Sequence, residues 1–163
     1  DFLDGMSNTI CASEAKAYTP YFRNAGKSNP DPTLPTSPAD IQALAGDAKM
    51  GPELMNNTGH TEGVDGRVHQ CGFTGVFTPN TEVLVSHAGT TYDVDWTNQQ
   101  EGKHAENKTF AAITARSYHP SIVNAVMMDG SVHTISDTID LAVWRALCTR
   151  SGKETVDLSV LAD

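Results

Sequence analysis

The strongest constraint on the fold is the Asp129-Gly130 pair, which separates two β-prone runs at residues 122–128 and 131–135. Aspartate and glycine both tolerate the positive φ that a type I′ turn requires, so the pattern predicts a β-hairpin with a two-residue turn. Alternation along the two strands then predicts which side chains share the buried face. These residues are Val123, Ala125, Met127 and Val132.

Two helices are also predicted, the first of them short. The Ser-Pro-Ala-Asp sequence at residues 37–40 provides an N-cap, a proline at the first helical position and an acid in the first turn. This helix should end at Gly46. A second helix is predicted to begin at a cap on Ser136 or Asp137 and to run to about Arg150. Its apolar residues form two stripes, so we expect it to be packed on more than one side.

Long irregular segments separate these elements. Five prolines lie within residues 19–38, and residues 47–109 are rich in Gly, Asn, Thr and Asp. We therefore predict an α+β fold that has a small antiparallel sheet, a C-terminal helix packed on it and long irregular loops. A length of 163 residues favours one domain over two, so we predict a single domain over residues 1–163.

The charge of the chain excludes some classes of partner. Twenty Asp and Glu residues against eleven Lys and Arg residues give a net charge of −9, and the basic residues form no run. Nucleic acid and anionic membrane surfaces are therefore poor partners. The apolar stretches are short, and none approaches the roughly 20 residues that a membrane-spanning helix needs.

The sequence contains no motif of a known catalytic class. It has neither a G-x-S-x-G elbow nor a cysteine-protease motif, and it has no phosphate-binding glycine loop. We therefore predict that the protein is not an enzyme. Cys11, Cys71 and Cys148 also lack the spacing of a zinc site, so we expect three small buried side chains. Their disulfide state is left open by the sequence.

Three ordered motifs resemble those of a bacterial prepilin-type family that is known for an H-x9-DG signature. Residues 4–10 resemble the DG-x-SNT-I segment of that family, and residues 59–70 resemble its GHTEW-DGRVHQ segment. Further along the chain, a histidine is followed after nine residues by Asp-Gly. The resemblance implies structural roles for the signature residues, which are His119, Asp129, Gly130 and Trp144.

The resemblance implies a type II secretion pseudopilin or a type IV pilin-like protein. Such a protein is a structural subunit of a secretion or pilus-type filament in the cell envelope, and it carries out no catalysis. The implied partners are other pilin-like subunits or the secretion apparatus. Pseudopilins have a long apolar N-terminal helix, which is absent from this sequence. We therefore expect the chain to be the C-terminal part of a pilin-like soluble head, on the periplasmic or extracellular side of the envelope.

In this interpretation the precursor is anchored in the inner membrane through its N-terminal helix, which is the chain's one expected contact with a membrane. An alternative function is a periplasmic module that binds carbohydrate or peptide. The long polar loops and the aromatic residues Tyr92 and Trp96 suggest this alternative. A cleavable secretory signal upstream would favour the binding module, whereas an apolar segment behind a short basic leader would favour the pseudopilin.

A candidate calcium site consists of Asp93, Asp95 and Asn98, whose oxygens stand at positions 1, 3 and 6 of a calcium-type loop. The loop lacks the glycine and the bidentate acid of an EF-hand, so we prefer the alternative of a β-turn with solvated carboxylates. A polar, glycine-rich segment contains a second set of possible ligands, for which we favour no metal role: His60, Glu62, Asp65 and His69. No other cofactor is predicted.

His119 and Asp129 are not predicted to act as a catalytic pair. Ten residues of extended chain span about 33 Å, so the two side chains cannot touch unless the segment folds back. The hairpin register, extended beyond its strands, places His119 beside Asp140 at the start of the last helix. We therefore predict that His119 is a structural clasp whose hydrogen-bond partner lies within residues 134–141.

Overall fold

A computed structural model describes residues 1–25, 33–44, 59–99, 101–102, 105–154, 156–157, 159 and 161. The described chain divides into two compact units. We call residues 1–15, 73–81 and 114–163 the first unit, and residues 16–72 and 82–113 the second unit. Two compact units can belong to one domain, so the single domain stays a prediction.

Short helices and strands alternate with irregular chain, which confirms the predicted α+β class. In chain order the elements are a 3₁₀ turn (Met6–Asn8), β1 (Ile10–Ser13), β2 (Tyr21–Arg23), α1 (Pro38–Leu44), α2 (Val68–Cys71), β3 (Leu84–His87), β4 (Thr90–Asp93), β5 (Asp95–Thr97), β6 (Ala111–Ala112), β7 (Ile122–Met127), β8 (Val132–Ser136) and α3 (Leu141–Leu147). Residues 73–77 form turns and irregular chain.

The first unit is built on an antiparallel sheet with the strand order β1-β7-β8. Residues from all three strands and from α3 form its core. The fully or nearly fully buried members are Ile10, Ala115, Val123, Ala125, Met127, Ile135, Trp144, Leu147 and Leu161. Burial of these apolar side chains is the main stabilising contribution within this unit.

The predicted hairpin forms, but its turn is of a different type. Gly130 donates to the Met127 carbonyl (3.0 Å), and the Met127 N–H donates to the Ser131 carbonyl (2.9 Å). Gly130 has a φ of +89°, whereas Asp129 does not have a positive φ. This arrangement is a three-residue loop with a glycine bulge, not the predicted type I′ turn. The Asp129 carboxylate accepts bonds from the N–H and the hydroxyl of Ser131 (2.9 and 2.7 Å).

The extra turn residue shifts the register of the hairpin by one position. Val126 lies opposite Val132, and Ala125 lies opposite His133. A shift of one residue exchanges the two faces of a strand. The predicted burial of β7 is therefore confirmed, but the predicted burial of Val132 is wrong: this side chain is 66% exposed, and Ile135 is buried instead.

The last helix also begins later than predicted. Ser136 ends β8, and the cap of α3 is Asp140, whose Oδ1 accepts bonds from the N–H groups of Ala142 and Val143 (2.8 and 3.1 Å). The prediction of a cap at Ser136 or Asp137 is therefore wrong, because the chain needs a turn between strand and helix. The helix ends at Leu147 rather than near residue 150.

The second unit contains a feature that the sequence did not predict, a parallel strand pair. β2 and β5 run parallel, with Tyr21 beside Asp95 and Phe22 beside Trp96, and β6 pairs antiparallel with β5. β3 and β4 form a separate hairpin. α1 packs on β3 and begins at Pro38 as predicted. Its predicted end at Gly46 lies outside the described residues.

We predict that Gly130→Val lowers the free energy of unfolding by roughly 1 to 3 kcal/mol, because a β-branched residue resists the positive φ at this position. Gly63→Val is the matched control. A Cβ at either position would meet no other atom within 4 Å, but only Gly130 of the two has a positive φ. Urea unfolding measures the difference, and equal midpoints for the two variants would contradict the assigned turn.

The position of the helix cap gives a second prediction. Asp140→Ala should lower the free energy of unfolding by about 1 kcal/mol, because two N–H groups of α3 lose their acceptor. The Asp137→Ala variant changes the cap that was expected from the sequence. Its midpoint of denaturant unfolding should equal that of the wild type. The reverse order of the two variants would show that the sequence-based cap is correct.

Candidate functional site

His119 lies on an exposed turn of the first unit. Its side chain is 59% exposed, and its Nε2 lies 3.8 Å from Oε1 of Glu14. The His119 N–H donates to the Ser117 hydroxyl (3.0 Å). The imidazole therefore lies beside Glu14 and has no hydrogen bond to the described residues 134–141, so the predicted clasp to these residues is wrong. β7 begins only at Ile122, so the hairpin register could not be extended as far as residue 119.

Glu14 directly follows β1 and contacts both β7 and the segment that precedes β7. Its Oε2 accepts a bond from the N–H of Asn124 (2.8 Å), and its own N–H donates to the Asn124 carbonyl (3.2 Å). Burial alone would raise the pKa of Glu14. The bonds from Asn124 and Ser117 and the nearby His119 outweigh burial and hold this pKa below its ordinary value. The carboxylate is thus a structural acceptor at physiological pH.

The first motif, residues 4–10, is hydrogen-bonded to the chain that follows α3. Asp4 is 9% exposed, and its carboxylate accepts bonds from the N–H groups of Gly152 (2.9 Å) and Lys153 (2.6 Å) and from the hydroxyl of Thr149 (3.2 Å). The Thr9 hydroxyl points to the Thr149 carbonyl as well (3.3 Å). We call these bonds the Asp4 clamp.

The second motif contributes a stacked pair of rings to the second unit. The imidazole of His69 lies flat on the ring of Tyr21, with centroids 4.1 Å apart and an angle of 13° between the planes. Both side chains are 3% exposed. The Tyr21 hydroxyl bonds to the Thr97 hydroxyl (2.7 Å). Burial raises the pKa of Tyr21 to about 12, so the ring is neutral.

The start of this motif lies against the parallel strand pair. Gly59 forms a bridge with Thr19, and a Cβ at position 59 would lie 2.9 Å from the Thr19 carbonyl oxygen. Next to it, His60 Nε2 lies 3.8 Å from Oδ2 of the fully buried Asp95. The glycine therefore permits a close approach of the motif to β2 and β5.

In the rest of the second motif, which covers residues 59–70, side-chain oxygens accept hydrogen bonds from N–H groups of the same motif. Gln70 Oε1 accepts bonds from the N–H groups of Thr61 (2.8 Å) and Glu62 (3.0 Å). Asp65 pairs with the guanidinium of Arg67, and its pKa is lowered to about 2 mainly by hydrogen bonds from that residue. The four possible metal ligands of this segment thus do not converge on one point in the described structure.

The residues of the candidate calcium site have different surroundings. Asp93 Oδ1 accepts a bond from the Val83 N–H (2.8 Å), and Asn98 Oδ1 accepts one from the Phe110 N–H (2.8 Å). Asp95 is fully buried, so the alternative of solvated carboxylates is wrong for this residue. Within the described ranges, no three His, Cys, Asp or Glu side chains form a group that could hold a metal ion. Calcium binding stays a prediction.

The remaining signature residue and the cysteines occupy different environments. Trp144 is fully buried and packs against Phe73, with ring centroids 5.8 Å apart. All three cysteines are free, and Cys11 and Cys71 are exposed, so their predicted burial is wrong. Cys148 is half-buried, and burial raises its pKa to about 12. A Cβ added at Gly75 would lie only 2.8 Å from the Cβ of Cys148.

Comparison with known proteins gives the family. A family model described as "Protein of unknown function (DUF1559)" matches residues 1–142. The chain belongs to this family. No curated protein and no solved structure matches it. Among the residues that the structure describes, no helix of this DUF1559 chain combines the length and the apolar character needed to span a membrane.

Several contacts of the DUF1559 chain could not be found from its sequence. Glu14 is bonded to Asn124, which lies 110 residues away, and no local pattern marks that pair. The bonds of the Asp4 clamp join residues that are 145 to 149 positions apart, so no local pattern marks them either. The one available signal was the position of Asp4 within a motif, which indicates that the residue matters without giving its partner.

We predict that Asp4→Ala lowers the free energy of unfolding by about 1 to 3 kcal/mol, because two backbone N–H groups and one hydroxyl of the clamp lose a charged acceptor. Asp1→Ala, which removes an exposed carboxylate from the same segment, is the control. Urea unfolding and limited proteolysis around residues 149–153 measure the effect. Equal stability and equal cleavage of both variants would contradict the clamp.

Proposed function

We propose that this DUF1559 chain is part of the head of a structural, pseudopilin-like subunit of a secretion or pilus-type filament in the cell envelope. The proposal starts from the three ordered motifs and their resemblance to a prepilin-type family. In this proposal the partners are other pilin-like subunits or the secretion apparatus, and the head faces the periplasmic or extracellular side. An apolar N-terminal helix would anchor the precursor in the inner membrane.

The observation that best supports a structural role is the use that the fold makes of the motif carboxylates. Asp4 accepts bonds from two backbone N–H groups, and Asp129 accepts bonds from Ser131 within the hairpin turn. A catalytic carboxylate needs lone pairs that face a substrate or a reacting proton. Since both oxygens of Asp4 and Oδ1 of Asp129 accept bonds within the fold, the positions of these residues in the motifs have an explanation that requires no reaction.

The environment of Trp96 gives less support to the alternative of a carbohydrate- or peptide-binding module. Trp96 is 1% exposed, and its indole N–H donates to the Ala25 carbonyl (3.1 Å). A sugar ring or peptide could not stack on this indole without a rearrangement of the second unit. Tyr92 is the member of the aromatic pair that retains partial exposure.

Expression of the complete gene with its own upstream codons tests the proposed function. The upstream sequence should encode about 20 apolar residues behind a short basic leader. In cells that contain a prepilin peptidase the leader should be removed, and the mature protein should stay in the membrane fraction. A peptidase-deficient strain is the control.

Crosslinking of the mature protein in those cells should yield contacts with pilin-like proteins or further copies of the chain. Cleavage of a secretory signal and release of a free periplasmic protein would contradict the pseudopilin and favour the binding module. Retention of the leader in both strains would also contradict the proposal.

A further inference from the structure

We propose that residues 59–72 form an acid-triggered latch, in which protonation of His69 breaks its stacking on Tyr21 and releases the segment from the β2–β5 strand pair. We call this segment the latch. The inference concerns the second unit alone and does not depend on the proposed function.

His69 lies at the centre of the described contacts between the closed latch and the strands. Its imidazole covers the ring of Tyr21, and its carbonyl accepts a bond from the His60 N–H (3.0 Å). At the start of the latch, Gly59 exchanges two backbone bonds with Tyr18 and Thr19 (2.9 and 2.8 Å). Loss of the ring stack would therefore remove the contact of His69 with β2, while the backbone bridge at Gly59 would remain.

The surroundings of His69 favour the neutral ring. The side chain is 3% exposed, and Nδ1 is buried without a hydrogen-bond partner among the described residues. A protonated imidazole carries an N–H on both nitrogens, so one buried donor would remain unsatisfied. Charging the ring in this position would also require its desolvation.

The charged groups around His69 mainly disfavour a positive charge on its ring. From β2, Tyr21 is neutral and Arg23 is a cation, and from the latch itself Arg67 and His60 disfavour a second positive charge. Asp65 opposes this effect, but its carboxylate is bonded to Arg67. The Glu101 carboxylate accepts the Val68 N–H (2.9 Å). His60 differs from His69 in its surroundings, because its Nε2 lies 3.8 Å from the buried Asp95.

Burial, followed by the charge of Arg67, lowers the pKa of His69 to about 4. In the open latch the ring should have its ordinary pKa of about 6.5. The neutral ring therefore stabilises the closed latch fully above pH 6.5, and this contribution is lost as the pH falls from 6.5 toward and through the folded pKa. Linkage gives a roughly thirty-fold increase in the opening constant between pH 7.5 and pH 5.

Hydrogen exchange of the whole chain across pH 7.5 to 5, with each rate divided by the intrinsic rate at that pH, tests the proposal. Protection of the latch amides should fall roughly thirty-fold, while β7 in the first unit keeps its protection. His69→Phe should remove the pH dependence, because phenylalanine can stack but cannot titrate. His87→Phe, which removes a half-buried histidine from β3 of the same unit, should behave like the wild type.

A second measurement uses the wild-type chain, so it does not depend on the folding of a variant. The Cε1 proton of His69 in the wild-type chain should titrate well below pH 6.5 in an NMR experiment, over the range in which the latch opens. Parallel loss of protection in the latch and in β7 would indicate global unfolding and overturn the proposal. Three other results would also overturn the proposal. The latch amides could keep their protection at pH 5, the His69→Phe variant could show the same pH dependence as the wild type, or His69 could titrate near pH 6.5 while the latch stays closed.

Discussion

The acceptance of backbone N–H groups by side-chain oxygens is the interaction on which this loop-rich chain depends. Regular strands and helices satisfy most of their own backbone groups, but the N–H groups of irregular chain, of helix starts and of strand edges need other acceptors. Both units use carboxylate or amide oxygens for this purpose. The residues that do so include Asp4, Glu14, Gln70, Asp93, Asn98, Glu101, Asp129 and Asp140. The acidic composition is thus partly a structural requirement and not simply a property of the surface.

The hairpin shows how far local sequence can lead and where it fails. The pattern around Asp129-Gly130 predicted the hairpin, its position and the buried face of β7. It failed for β8, because Asp-Gly is compatible with both a two-residue turn and a three-residue loop with a bulge. A turn with positive φ at both central residues does occur in this protein, at Ala88-Gly89 between β3 and β4. Alanine gives no signal for that turn, so propensity alone could not have found it.

The other wrong predictions concern contacts between residues that are far apart in the sequence. The start of α1 was predictable, since its signals lie within four residues of one another. The partner of His119 was not, because Glu14 lies 105 residues earlier and follows a strand that pairs with β7. The same limit applies to His69 and Tyr21, and to the parallel pairing of β2 with β5. The motifs identified segments that matter in the fold, but the atoms that they contact are set by tertiary structure.

The close approach of Gly75 to Cys148 has a consequence for how this protein can vary. Because the half-buried sulfur and the Cβ of Cys148 fill the space that a side chain at position 75 would occupy, the two positions share one volume. A methyl group can be added at position 75 only if position 148 becomes smaller or α3 shifts. The sizes of these two residues are therefore coupled across 73 residues of sequence, and relatives with the same packing should change them together.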